Sequence, residues 1–148
     1  MTVQTTNAGT AAHPETGDTI TYVFSEAMSP ASILTGWTGA STPVTVRFTN
    51  GNPDAVTVWN SANAVQSALG TFSTGKKYVN ASMAFNSSSM VMSGNTVVVT
   101  LGTPTANTQT AHGKTALSWT VSTLATDLAG NPLTAATITE TGAMDSDF

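Results

Sequence analysis

The groups able to do acid–base chemistry near neutral pH are few. There are two histidines, His13 and His112, and eight carboxylates: Glu15, Asp18, Glu26, Asp54, Asp127, Glu140, Asp145 and Asp147. A serine nucleophile needs an imidazole that is packed and oriented by a carboxylate. Both histidines fall in polar stretches without periodicity, and no Gly-x-Ser-x-Gly element occurs. Solvated loop histidines and no catalytic residue are therefore expected. Calcium would need about six to eight oxygens from carboxylates, carbonyls and amides. Glu26, Asp127 and Asn131 are the candidate ligands, with Asp145-x-Asp147 a second acidic pair, but no EF-hand spacing is present. Asp127 has a simpler role, accepting main-chain N–H bonds in the Ala-Gly-Asn turn that follows it. No cofactor is expected, calcium being the one candidate.

The aromatic residues offer a different chemistry, that of contact. Trp37, Trp59 and Trp119 are of a type that stacks on sugar rings or anchors protein interfaces. Trp119 alternates with polar neighbours in a strand pattern and is expected in the core. Trp37, between Gly36 and Gly39, is the best candidate for an exposed ring. Trp37, Trp59 and Phe148 are the candidate partner-binding residues.

Composition narrows the setting. Of 148 residues, 40% are hydrophobic and only 8% charged, with a net charge of −4 and no cysteine. Disulfides, thiolate metal sites and Cys nucleophiles are excluded. Four basic side chains, Arg47, Lys76, Lys77 and Lys114, cannot neutralise a nucleic-acid backbone. No run approaches the roughly 18 apolar residues of a transmembrane helix, so neither nucleic acid nor membrane is an expected partner. Ser and Thr supply about 30% of the residues, so hydroxyls rather than charges solubilise the surface, a pattern common in proteins displayed outside cells. After Met1 there is no basic n-region and no apolar run of about 7–15 residues. Either a leader has been removed, or the protein is made without one; a virion component, synthesised in a host and exposed after lysis, satisfies both features.

Alternation of apolar and polar residues predicts strands at Asp18–Phe24, Pro43–Thr49, Ala55–Asn60, Lys77–Phe85, Met90–Met92, Asn95–Leu101, Thr115–Val121 and Thr134–Thr139. Asn50–Asp54 is a strong turn, and Ser93-Gly94 a hairpin connection. Ser29-Pro30 predicts the cap and first residue of a short helix. About eight short strands joined by polar loops are the pattern of an all-β sandwich. Residues 1–16 are polar and are expected to form an extended N-terminal arm, with the sandwich over 17–139 and a short acidic C-terminal tail over 140–148.

Gly17-Asp-Thr-Ile-Thr-Tyr-Val-Phe-Ser-Glu-Ala-Met28 and Ala125-Thr-Asp-Leu-Ala-Gly-Asn-Pro-Leu133 resemble paired elements of the bacterial Ig-like domains of S-layer and other surface proteins. In that family a first strand ends in a TFSE-x-M element, and D-x-A-G-N precedes the last strand. The resemblance implies an Ig-like antiparallel β-sandwich used for display, spacing or adhesion. It departs from the family in the longer middle of 35–110 and in the tail beyond residue 139. In such a domain Glu26 could promote a Lys–Asn isopeptide bond, but none of the three lysines lies in a clear first-strand motif; a plain carboxylate is expected. Fold carries over better than function.

The expectation is a non-enzymatic structural module on an exterior surface, foremost a phage virion protein (capsid decoration or tail component) binding capsid or tail subunits and copies of itself. A secreted or wall-attached adhesion domain, and a glycan-binding module using Trp37 or Trp59, are the alternatives.

Overall fold

The computed structural model describes residues 1–111, 113–141 and 148. The chain is all-β, apart from one helical turn, α1 (Pro30–Ile33), which opens on proline as expected. The strands are β1 (Thr2–Thr6), β2 (Thr19–Val23), β3 (Thr42–Thr49), β4 (Ala55–Asn60), β5 (Thr71–Ser73), β6 (Met83–Ser93), β7 (Thr96–Thr100), β8 (Thr103–Pro104), β9 (Ser118–Thr120) and β10 (Thr137–Thr139). They form a single antiparallel sheet in the order β1-β2-β7-β6-β3-β4-β5-β9-β10, with β8 appended to β6.

The pleat sorts the hydroxyls from the apolar side chains. On β2, Ile20 and Tyr22 point inward while Thr19 and Thr21 face outward. Register places Ile20 opposite Val99 and Tyr22 opposite Val97, and the same valines face Met90 and Met92 on β6. Each inward residue thus meets apolar neighbours across the ladder, which is how a β-sheet gains most of its stability. A one-residue slip would turn the threonines inward, so the register is strongly specified.

The sheet curls until its ends approach. β2 and β9 stand near opposite ends of the path, yet the rings of Tyr22 and Trp119 meet edge to face at 5.0 Å, and Phe24 contacts Trp119 at 5.3 Å. β1 and β10 lie alongside each other as well, so the sheet is nearly closed into a barrel. A bulge helps bend it: between Val44 and Val46 of β3, the partner strand β6 carries the extra residue, with Ser87 at φ 56°. The buried Ser88 hydroxyl sits beside this irregularity, donating to Phe85 O at 2.9 Å and accepting from Gly102 N at 2.9 Å. At the mouth of β5, Gly70 adopts φ 94°, and a Cβ there would fall 2.2 Å from Thr120 O. Only glycine fits that contact.

Several expectations are corrected. The segment 1–16, expected as an extended arm outside the core, contributes to it: β1 pairs along β2, and Val3 is fully buried. The strand expected at Lys77–Phe85 starts only at Met83, because the main chain at 78–79 is engaged elsewhere. The Tyr78 and Val79 amides bond to Asp54 Oδ2 at 2.5 and 2.9 Å, and Gln109 N donates to Tyr78 O at 2.8 Å. The hairpin turn is Gly94-Asn95, with Gly94 at φ 61° as the first central residue, one position later than expected. Ser29 precedes α1 without a side-chain cap bond. Ser32 Oγ instead donates to Ser29 O at 2.7 Å and accepts from Thr126 N at 2.9 Å, tying the helical turn to the loop before β10.

Candidate functional site

Among the described residues, Asp18, Asp54 and Asp127 are acidic residues buried as a whole, and each fastens a loop. Asp18 accepts from Ala8 N through Oδ1 and from Glu15 N through Oδ2, both at 2.8 Å, drawing residues 7–16 against the start of β2. Burial pushes its carboxyl up from the ordinary value, against the pull of those two amides. Asp54 accepts from Gly51 N at 2.8 Å, besides Tyr78 N and Val79 N, and holds the turn after β3 to the segment before β6. Asp127 accepts from Asn131 N through Oδ1 and from the Asn131 amide through Oδ2, both at 2.8 Å. Carboxylates engaged in this way act as main-chain acceptors and are poorly placed to exchange protons with a substrate.

The Asp127 clamp bears on the calcium expectation. Asp127 and Asn131 do come together, but Asn131 turns its N–H donors toward the carboxylate rather than its oxygen. Glu26 is exposed, and the residues after it meet the turn through the main chain: Leu128 N donates to Ala27 O at 3.3 Å, Ser29 N donates to Thr126 O at 2.9 Å, and Met28 bridges to Asp127. This geometry does not fit a cage of oxygen ligands. Among the described residues no group of three or more His, Asp or Glu side chains gathers at one point. Asp145 and Asp147, the second acidic pair, lie outside the described residues.

The clamp has a pH signature. The Asn131 side-chain amide, followed by its main-chain N–H, holds the Asp127 carboxyl below its ordinary 3.8. A depressed folded-state value contributes stability that is present above the ordinary pKa and lost as pH falls through the folded one. Asn131→Ala is therefore expected to return the Asp127 titration toward its ordinary value in a carboxyl NMR experiment. The stability gap between wild type and variant should narrow as pH falls below about 4.

His13 lies in a cleft of about 510 Å³, bounded by His13–Thr16 and by Pro104 and Ala106–Thr108. Thr108 Oγ1 donates its proton to Pro14 O at 2.9 Å and so receives one from His13 Nε2, also at 2.9 Å. Nε2 therefore carries a proton, and Nδ1 lies 3.5 Å from Thr110 Oγ1. The ring ties residues 13–16 to the 103–111 loop through threonine hydroxyls, and among the described residues no carboxylate is hydrogen-bonded to it as one that orients a general base would be. His112 lies outside the described residues.

The tryptophans divide differently from expectation. Trp119 is fully buried, as expected, with Nε1 donating to Leu69 O at 2.6 Å. Trp37 is not an exposed platform: it is 6% exposed, and its Nε1 donates to Ala40 O at 2.7 Å. The flanking glycines let the loop fold over the ring instead of displaying it. Trp59 is half-buried, but the Arg47 guanidinium covers its face at 3.6 Å from the ring centroid. Arg47 is fixed in turn by Nε and Nη2 donating to Asn63 Oδ1 and O, both at 2.6 Å. A sugar stacking on that face would first displace an interaction of about 0.5–1 kcal/mol.

Two features were not legible in the sequence. Leu124 and Leu128 are 77% and 71% exposed, on either side of buried Ala125 and Asp127. Their loop is held by the Asp127 clamp, by Ser29 N donating to Thr126 O at 2.9 Å and by Leu133 N donating to Ala125 O at 2.9 Å. Phe148, expected in a tail, is 1% exposed and packs among Phe48, Phe72 and Tyr78, with ring centroids at 5.7, 6.2 and 5.6 Å. Its carbonyl accepts from Ala12 N. No described helix is long and apolar enough to cross a membrane. Comparison of the chain with protein-family models, with curated proteins and with solved structures finds no match.

Proposed function

We propose that this chain is a non-enzymatic structural module that works by packing beside protein neighbours, including copies of itself, on the exterior of an assembly. The setting that best suits a hydroxyl-coated, cysteine-free chain of low charge is a phage virion, as a head-decoration or tail component. In this reading the curled sheet is an Ig-like sandwich whose two faces share the Tyr22–Phe24–Trp119 cluster. The module strengthens a shell or tube by binding its assembled state, and so shifts the equilibrium by mass action.

The observation that carries the reading is the pair Leu124 and Leu128. Large apolar side chains at that exposure are unremarkable on a mobile loop, but here the main chain beneath them is fastened at four residues. A rigid loop presenting apolar knobs loses little entropy on association, which favours its use as a contact surface.

The test is sedimentation velocity over a range of concentrations, comparing wild type with Leu124→Ser/Leu128→Ser. Neither side chain supports the core, so the variant should keep its thermal stability within about 0.5 kcal/mol. Association that rises with concentration in wild type and weakens at least about tenfold in the variant is the expected result. A wild type that sediments as a monomer throughout, with or without candidate shell or tube subunits added, would overturn the reading.

A further inference from the structure

The guanidinium of Arg47 carries a second inference, which rests on the reading that this module packs beside protein neighbours. Arg47 faces outward from β3, where the register sets it across from Thr57 on β4 and Ala84 on β6. Trp59, two residues further along β4, is its diagonal neighbour on the same outer face, within reach of a long side chain. The guanidinium stacks there, 3.6 Å from the ring centroid. The loop after β4 is built around it. Asn60 Oδ1 accepts from Ala64 N at 2.9 Å and from Val65 N at 3.2 Å, and Asn63 N donates to Asn60 O at 2.8 Å. Asn63 stands at φ 56°, a left-handed conformation that asparagine tolerates better than most residues. From there its side-chain and main-chain oxygens accept from Arg47 Nε and Nη2, both at 2.6 Å.

These contacts use only part of the group. A guanidinium carries five N–H donors, and Asn63 takes two of them. The other three, two on Nη1 and one on Nη2, have no acceptor among the described residues, and no described carboxylate pairs with Arg47. Arg47 and Asn63 form one side of a cleft of about 340 Å³, with Ser82–Ala84 on the other. Among the described residues, Arg47 is the one charged side chain that lines it. For an ordinary surface arginine, the entropy lost in fixing the side chain offsets most of the gain from an ion pair. Here stacking and the two bonds to Asn63 have already fixed the fork, so a partner would order little more. One positive charge on a planar fork matches a carboxylate, with two oxygens and one negative charge, better than a phosphate of nearly two. The ring face beside the fork is already covered, so a uronic-acid sugar would gain no stacking there.

We propose that the end edge of the Arg47 guanidinium, Nη1 with the outward N–H of Nη2, is a carboxylate-binding site that takes an Asp or Glu side chain of a protein neighbour. Trp59 and Asn63 are its positioning residues: they hold the fork flat and leave that edge turned away from the chain's own acceptors. Arginine and tryptophan are the residue types that most often dominate protein interfaces. Leu124 and Leu128 supply apolar contact in this account, and Arg47 adds the directional, charge-assisted bonds that fix which surface is accepted.

Arg47 is the only arginine of the chain, so the guanidinium NMR signals of the full-length protein are its own. At constant ionic strength the protein is titrated with a blocked Ala-Glu-Ala tripeptide, and in separate arms with its Gln counterpart, methyl glucuronide and inorganic phosphate. The Glu peptide is expected to shift the Arg47 signals and the amides of Asn63 and Ser82–Ala84 saturably, with a millimolar midpoint, and the Gln peptide to leave them in place. Arg47→Lys keeps the charge but not the fork, and should weaken the Glu peptide at least about tenfold, read at the same amides. Asn63→Gly keeps the left-handed backbone and the main-chain acceptor while removing Oδ1, and should weaken it about two- to tenfold. Absence of a saturable shift, equal binding of the two peptides, undiminished binding by Arg47→Lys, or tighter binding of the glucuronide or of phosphate would overturn the site while the packing reading stands. If the chain associates with nothing in sedimentation, the packing reading fails and the protein neighbour fails with it, even where the Glu peptide binds.

Discussion

Replacing Trp119 by alanine is expected to lower the stability of the fold by about 3–5 kcal/mol, measured as a fall in the urea midpoint with an unchanged m-value. The ring lies between strands from opposite ends of the sheet path, meeting Tyr22 of β2 at 5.0 Å and Phe24 at 5.3 Å, both edge to face. Its Nε1 also satisfies the Leu69 carbonyl just ahead of β5. Alanine would empty the volume where the curled sheet meets itself and leave that carbonyl unpaired. A domain of this size has only about 5–15 kcal/mol in hand. Trp119→Phe separates the two contributions, since most of the ring volume returns while the N–H does not. Its expected cost is about 1–3 kcal/mol, that of one unpaired buried group.

Asp54→Ala is the second large effect, at about 3–5 kcal/mol. Three main-chain N–H groups, those of Gly51, Tyr78 and Val79, share this carboxylate. Each buried donor that loses its acceptor costs about 1–3 kcal/mol, and Tyr78 and Val79 are both fully enclosed. The consequence should also be local in a way that Trp119→Ala is not. Residues 76–79 would lose their fixed path, and Tyr78 is one wall of the seat that receives Phe148. Hydrogen exchange at 76–79 is therefore expected to quicken in Asp54→Ala more than at β2 or β7. Uniform quickening across the sheet would show that the carboxylate contributes globally and does not hold this segment in particular. Asp54→Asn should fall between, because its oxygen retains part of the acceptor role while its amide sets a donor against another donor.

What was legible in the sequence follows from how many inward residues each strand contains. β2, β3, β4 and β7 each bury two or more alternating apolar residues, and that period is visible without coordinates. β1 buries Val3 alone and β5 Phe72 alone, so neither offers a period to detect. Their pairing is dictated by neighbours already in the sheet. Lys77–Ser82 shows the reverse: an apolar pattern with no strand, because the Asp54 carboxylate takes amides that a ladder would need. The Asp127 turn was readable because its donors lie within four residues. The seat of Phe148 was not, since its walls come from residues 48, 72 and 78 and its backbone partner from residue 12. Trp37 misled because flanking glycines suggest display, yet the same freedom let its loop close over the ring.

Hydrogen exchange on the unmodified chain, compared between dilute and concentrated solution, tests most directly whether the molecule works by contact with neighbours. Slowed exchange centred on the 122–131 loop, which presents Leu124 and Leu128, is the result expected on association. An exchange pattern indifferent to concentration, yet slowed around the His13–Thr108 cleft when small polar metabolites are added, would place the activity in a ligand pocket and contradict the account.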